Sequence, residues 1–160
     1  MALFTDLRQR VASYVTAFGL PIYDAEEIVQ EVFLALFRHL QLEKSRENLR
    51  GWIFRVAHNL ALKRRHANRR TSQMDVDSQA ESRARVDPQM NPEERVLSAQ
   101  RRERLLSVVN ALPEEDRCCL RLRAEGLRYR EISQVLGMSL GSVSISLTRS
   151  LARLARASGE

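Results

Sequence analysis

Arg55, Asn59 and Lys63 recur at steps of four, so on a helix they share one face. There two cations can track a phosphate backbone while the Asn59 amide offers a base both a donor and an acceptor. Between Gly51 and Arg70 the basic residues are Arg55, Lys63, Arg64, Arg65, Arg69 and Arg70, with no acid among them. Such segregation exceeds an ordinary solvated face. Trp52 precedes this series by one turn, and two readings stand for it: a platform for an unstacked base, or a core indole that anchors the helix.

A second group lies near the C-terminus, in LRYREISQVLGMSLGSVSISLTRSLARLARA. Ile132, Val135 and Leu136 form an apolar stripe on one expected helix, and Val143, Leu147, Leu151 and Leu154 form another. Between them Gly137 suits the left-handed conformation that ends a helix, and Ser139 suits the cap that starts the next. Two short helices held by a tight turn present the outer face of the second to a major groove that admits a helix. That face is expected to carry Ser142, Ser144, Ile145, Ser146, Thr148 and Arg149, with Arg153 one turn further on.

The rest of the chain must position these two groups. It is all-α by its period: glycine and proline are sparse, and apolar residues recur every three or four positions outside the middle. Phe4, Leu7, Val11, Val15 and Phe18 line a first helix that stops at Gly19 and Pro21. A second opens at Asp24, with Glu27 completing a capping box, and turns Ile28, Val29, Val32, Phe33, Leu36, Phe37 and Leu40 inward. A third buries Ile53, Val56 and Leu60. From Thr71 to Met90 there is no period and almost no large apolar residue, the mark of a flexible linker. Order resumes at Asn91, Pro92 and Glu94, a second capping box, followed by Val96, Leu97, Leu105, Val108, Val109 and Leu112. Pro113 restarts the chain as a helix with Glu114, Glu115 and Asp116 in its positive first turn, ending near Gly126. Two small helical domains, 1–70 and 91–160, joined by a tether at 71–90 are expected.

Composition narrows the function. The chain has 160 residues, 44% apolar content and a net charge of +6, which fits globular helical cores and an acidic partner. No apolar run approaches the roughly 20 residues of a spanning helix, and the first residues lack a signal peptide's apolar region, so the expectation is a cytoplasmic chain without membrane insertion. Cys118 and Cys119 are adjacent, a spacing that suits buried reduced thiols rather than a metal or disulfide framework. His39, His58 and His66 lack partners at ligand spacing, so neither a metal nor another cofactor is expected. No nucleophile with a base and no phosphate loop is present, which argues against an enzyme. Asp24, Glu26, Glu27, Gln30 and Glu31 cluster on the flank left by the second helix's stripe. They suit a basic protein surface, and equally a capped, solvated helix start.

The order of pieces, DAEEIVQEVFLALFRHL, then LRGWIFRVAHNLALKRR, then a linker, then ALPEEDRCCLRLRAEGLRYREISQVLGMSLGSVSISLTRSLARL, resembles the extracytoplasmic-function group of bacterial sigma-70 family sigma factors. The resemblance implies a promoter-recognition subunit that does no chemistry. Its first domain would bind core RNA polymerase and the minus-ten element, its second the minus-thirty-five element. By motif position, Asp24, Glu27, Gln30, Glu31 and Phe33 would dock on the polymerase. The loop from Leu42 to Asn48 would capture a base flipped from the non-template strand, with Trp52 and Asn59 in and beside that pocket and Arg55, Lys63, Arg64 and Arg65 as neighbouring cations. Arg149 matches the family's base-contacting arginine, which pairs with guanine O6 and N7. Serines stand at 144 and 146 where the family usually has Lys or Arg, an expected loss of roughly two units of salt slope. An anti-sigma factor, frequent in the family, is a further implied partner. A stand-alone repressor or a sigma-like interaction protein without DNA reading are the rival functions.

Overall fold

The structure is a computed structural model; it describes residues 2–42, 48–71 and 91–158, with backbone alone for 2–4. The expected linker at 71–90 therefore lies, beyond Thr71, outside the described residues, as does 43–47 of the expected base-capture loop. All regular elements among the described residues are helices, and the chain divides into two units, 1–82 and 83–160.

The first unit holds α1 (Ala2–Thr16), α2 (Ile22–Gln41) and α3 (Leu49–Thr71), each packed on the other two. Gly19 takes a left-handed φ of 84° in the turn after α1. The helix after it begins earlier than the sequence suggests: Pro21 is the N-cap, and no side-chain cap forms. The expected Asp24–Glu27 box is thus displaced, because the fixed φ of Pro21 sets the helix cap three residues upstream and puts Asp24 inside the first turn. Ile28, Val29, Val32 and Leu36 are buried as the stripe requires. Phe37 is not: it is 61% exposed, and Phe33 and Leu40 are only half-buried.

On α3 the buried line is Ile53, Phe54, Ala57, His58 and Ala61, while Val56 and Leu60 are half-buried. Ala57 and Ala61 are small enough for close approach of a helix wedged between two neighbours, so the core face centres on them rather than on the larger residues. Tyr14, Phe18, Phe54 and His58 form an aromatic cluster with centroid separations of 5.2 to 6.1 Å. The Tyr14 hydroxyl and His58 Nδ1 hydrogen-bond at 2.8 Å, giving two buried polar atoms a partner.

The second unit holds α4 (Pro92–Ala111), α5 (Glu114–Ala124), α6 (Tyr129–Leu136) and α7 (Leu140–Ala157). The box at Asn91 forms as expected: the Asn91 side chain accepts from Glu94 N at 2.8 Å, and Asn91 N donates to Glu94 Oε2 at 3.4 Å. Helix α4 packs against α7 and buries none of its residues fully, and the expected core positions Val96 and Leu97 are exposed. Helices α5, α6 and α7 share the tighter core, with Cys119, Leu122, Leu127, Ile132, Val143 and Leu147 wholly buried.

Candidate nucleic-acid interface

The turn between α6 and α7 has the construction its residues imply. Gly137 caps α6 with φ 68° and donates its N–H to Ser133 O at 2.9 Å, and Ser139 caps α7 by accepting from Ser142 N at 3.1 Å. The two helices are bent by 107° across this break, within the range of a DNA-binding helix-turn-helix.

On α7 the exposed arc carries Ser142, Ser144, Ile145, Thr148, Arg149 and Arg153. Ser146 does not belong to it. It is 2% exposed, and its hydroxyl donates to Asp116 Oδ1. The buried line is Val143, Ser146, Leu147 and Ser150, whereas Leu151, expected in the stripe, is exposed. The physical reason is the buried carboxylate on α5. Asp116 is 3% exposed and must be supplied with donors, which a serine facing it provides and an apolar residue cannot. Of the two serines, only Ser144 lies on the outer face.

Arg149 stays on the outer face but is not free. Its Nη2 donates to Asp116 Oδ1 and Oδ2 at 3.1 and 3.0 Å, with the side chain 52% exposed. Beneath this pair, burial pushes the Cys119 thiol up from its ordinary pKa. A hydrogen bond with Ser146 opposes the shift, and the charges of Asp116 and Glu115 add to it. Cys118 and Cys119 are both buried free thiols, as their spacing suggests.

In the first unit Arg55, Asn59 and Lys63 are exposed together along α3. His66 and Arg70, also exposed, continue the same strip, which the expected set omits although the i, i+4 and i+7 spacing contains it. From Arg55 to Arg70 the strip runs about 22 Å, roughly six phosphate spacings along one strand. Trp52 sits at its head, half-buried, with its ring 4.6 Å from that of His39 at 33°. It is thus not a wholly buried core indole, and a second ring lies against it.

The two following arginines turn away. Arg64 Nη1 pairs with Asp24 Oδ1 at 3.3 Å and Glu27 Oε2 at 3.0 Å, and Asn68 donates to Asp24 Oδ2 at 2.8 Å. Arg65 lies over the Phe18 ring at 5.4 Å. The expected α2 docking set divides accordingly. Asp24 and Glu27 are engaged by α3, Phe33 is half-buried, and Gln30 and Glu31 remain exposed. Leu34 and Phe37, exposed at helical spacing beside Gln30 and Glu31, complete an amphipathic outer strip that the inward reading of Phe37 obscured. No cluster of His, Cys, Asp or Glu among the described residues is arranged to hold a metal.

An all-helical protein with a basic, acid-free helix face on one unit and a helix-turn-helix on the other is a class built to meet nucleic acid. Residues 3–71 match sigma-70 region 2, and residues 102–154 match sigma-70 region 4. The chain is 30% identical over 148 residues to the ECF RNA polymerase sigma-E factor of Escherichia coli K12, covering 89% of this chain and 77% of that one. It is 33% identical over 131 residues to the ECF RNA polymerase sigma factor SigE of Mycolicibacterium smegmatis, covering 79% and 49%. The fold is shared with RpoE of Bartonella quintana, solved with the anti-sigma factor NepR (TM-score 0.64, 16% identity, 98% and 94% covered). It is shared also with CnrH, solved with the cytosolic domain of CnrY (TM-score 0.58, 22% identity, 97% and 84% covered). The chain belongs to the extracytoplasmic-function group of sigma-70 family sigma factors, and is an alternative sigma factor that directs transcription. Sigma factors are regulatory and not catalytic. No single helix among the described residues is long and apolar enough to cross a membrane.

Proposed function

We propose that this sigma factor joins core RNA polymerase in the cytoplasm through the outer strip of α2, and reads a promoter with two separate faces. The α2 contact rests on Gln30, Glu31, Leu34 and Phe37, with Asp24 and Glu27 contributing charge behind them. A strip that is acidic at Glu31 and apolar at Leu34 and Phe37 matches a basic, amphipathic partner surface. The α3 strip of Arg55, Asn59, Lys63 and Arg70 lies along the minus-ten strand, with Trp52 at the end where a base leaves the stack. The outer arc of α7, with Ser142, Ser144, Ile145, Arg149 and Arg153, enters the major groove of the minus-thirty-five element.

The observation that carries this reading is the presence of two exposed cationic helix faces on two separate units, both on helices with no acid along their length. Flipping a base costs a few kcal/mol of unstacking, so strand capture needs stacking and hydrogen-bond partners at the α3 strip, and Trp52 and Asn59 supply both kinds. An anti-sigma factor is a proposed restraint, supported by the structural relative solved with the anti-sigma factor NepR.

Run-off transcription with purified core polymerase on a pool of genomic promoter fragments tests the proposal. Discrete start sites from a small set of fragments are expected. Association with core but no start site on any fragment would instead identify a sigma-like interaction protein.

A further inference from the structure

A carboxylate at Asp116 has no reason to be buried in a helical core unless its charge is used. It lies in the first turn of α5, where the unsatisfied N–H groups favour negative charge, and it receives three donor contacts. Two are from Arg149 Nη2, at 3.1 and 3.0 Å, and one is from the Ser146 hydroxyl. Both donors come from α7, one from its buried line and one from its exposed arc. A serine at 146 leaves room for the carboxylate to reach past it to the outer arginine. Only Nη2 of Arg149 is committed. Among the described residues Nε and Nη1 have no partner, and half of the side chain is exposed.

We propose that Asp116 is a specificity-determining positioning residue: it clamps one edge of the Arg149 guanidinium so that the remaining N–H groups meet one base pair of the upstream element in a fixed orientation. This rests on the reading of α7 as the DNA-contacting helix. A long arginine side chain loses rotamer freedom when it binds, and one already anchored at Nη2 loses less, which favours a directional contact over a diffuse phosphate contact. The clamp acts on selectivity, because a loosened arginine still attracts phosphate while no longer distinguishing bases.

The test is a double-mutant cycle with the full chain assembled on core polymerase, using promoter fragments substituted one base pair at a time across the upstream element. Asp116→Asn keeps the shape and the Oδ1 acceptor that Ser146 and Arg149 share, and replaces Oδ2, which accepts from Arg149 alone, with an amide donor that repels Nη2. In the wild-type background it is expected to reduce discrimination at a single base pair by about tenfold, with weaker change elsewhere. In an Arg149→Ala background it is expected to change discrimination at no position, because the clamp has nothing left to hold. A uniform loss at all positions, a loss persisting without Arg149, or an unchanged profile would each overturn the proposal. Because Asp116→Asn could weaken the fold, nitrogen NMR of the wild-type Arg149 side chain supplies a second measurement. Slow rotation of its Nη2 group in the free protein is expected, and rotation as fast as that of Arg153 would overturn the clamp. Failure of the underlying reading is distinct, for then the wild-type complex itself would discriminate at no base pair of the upstream element.

Discussion

Arg64→Ala separates the cations that meet DNA from those that hold the first unit together. Arg64 bridges Asp24, whose side chain is 14% exposed, and Glu27, at 37%. The Glu27 pair is screened by solvent and contributes a few tenths of a kcal/mol. The Asp24 contact is better shielded, and a hydrogen bond to a charged group in that setting contributes about 1 kcal/mol, with Asn68 remaining as a partner when Arg64 is lost. The variant should therefore lose about 1 to 1.5 kcal/mol from a unit whose total stability is on the order of 5 kcal/mol. That corresponds to a fall in Tm of about 5 °C. Its effect on DNA should be small. In binding of the polymerase complex to a promoter fragment across a potassium chloride series, Lys63→Ala should flatten the salt slope by about 0.7 to 0.9, the value of one phosphate contact. Arg64→Ala should leave that slope unchanged. Equal flattening by the two variants, with an unaltered melting curve for Arg64→Ala, would refute the assignment of Arg64 to the α2 acids.

Two further expectations test the turn and the tryptophan. Gly137→Ala should cost about 1 kcal/mol in urea unfolding, because φ is 68° but a Cβ there meets nothing within 4 Å, so only the left-handed backbone penalty applies; a loss several times larger would mean that more than the backbone conformation of Gly137 holds the turn. Trp52→Ala removes the ring stacked on His39 and should reduce permanganate reactivity of the opened strand while polymerase association persists; equal loss of both would show that α3 had merely unfolded.

Much of the architecture is written in local sequence. The helical period, the Asn91–Glu94 box, Pro113, Gly126, Gly137 and Ser139 act through their own backbone angles or through neighbours a few residues away. They can be read without knowing what the chain folds against. The strip of Arg55, Asn59 and Lys63 is equally legible, since steps of four fix a shared face on any helix.

The packing of the helices settles which face of each one turns inward and which charges are neutralised internally. Phe37, Val96 and Leu97 fit an apolar stripe by period yet lie outside, because helix burial depends on how many neighbours surround it: α2 has two and α4 packs chiefly on one. Ser146 reads as an outer polar residue until a carboxylate 30 positions away is found facing it. Arg64 and Arg149 read as free cations until Asp24 and Asp116 are brought against them. A buried or half-buried carboxylate demands donors from whatever element packs on it. That pairing spans sequence distances over which no local spacing rule operates.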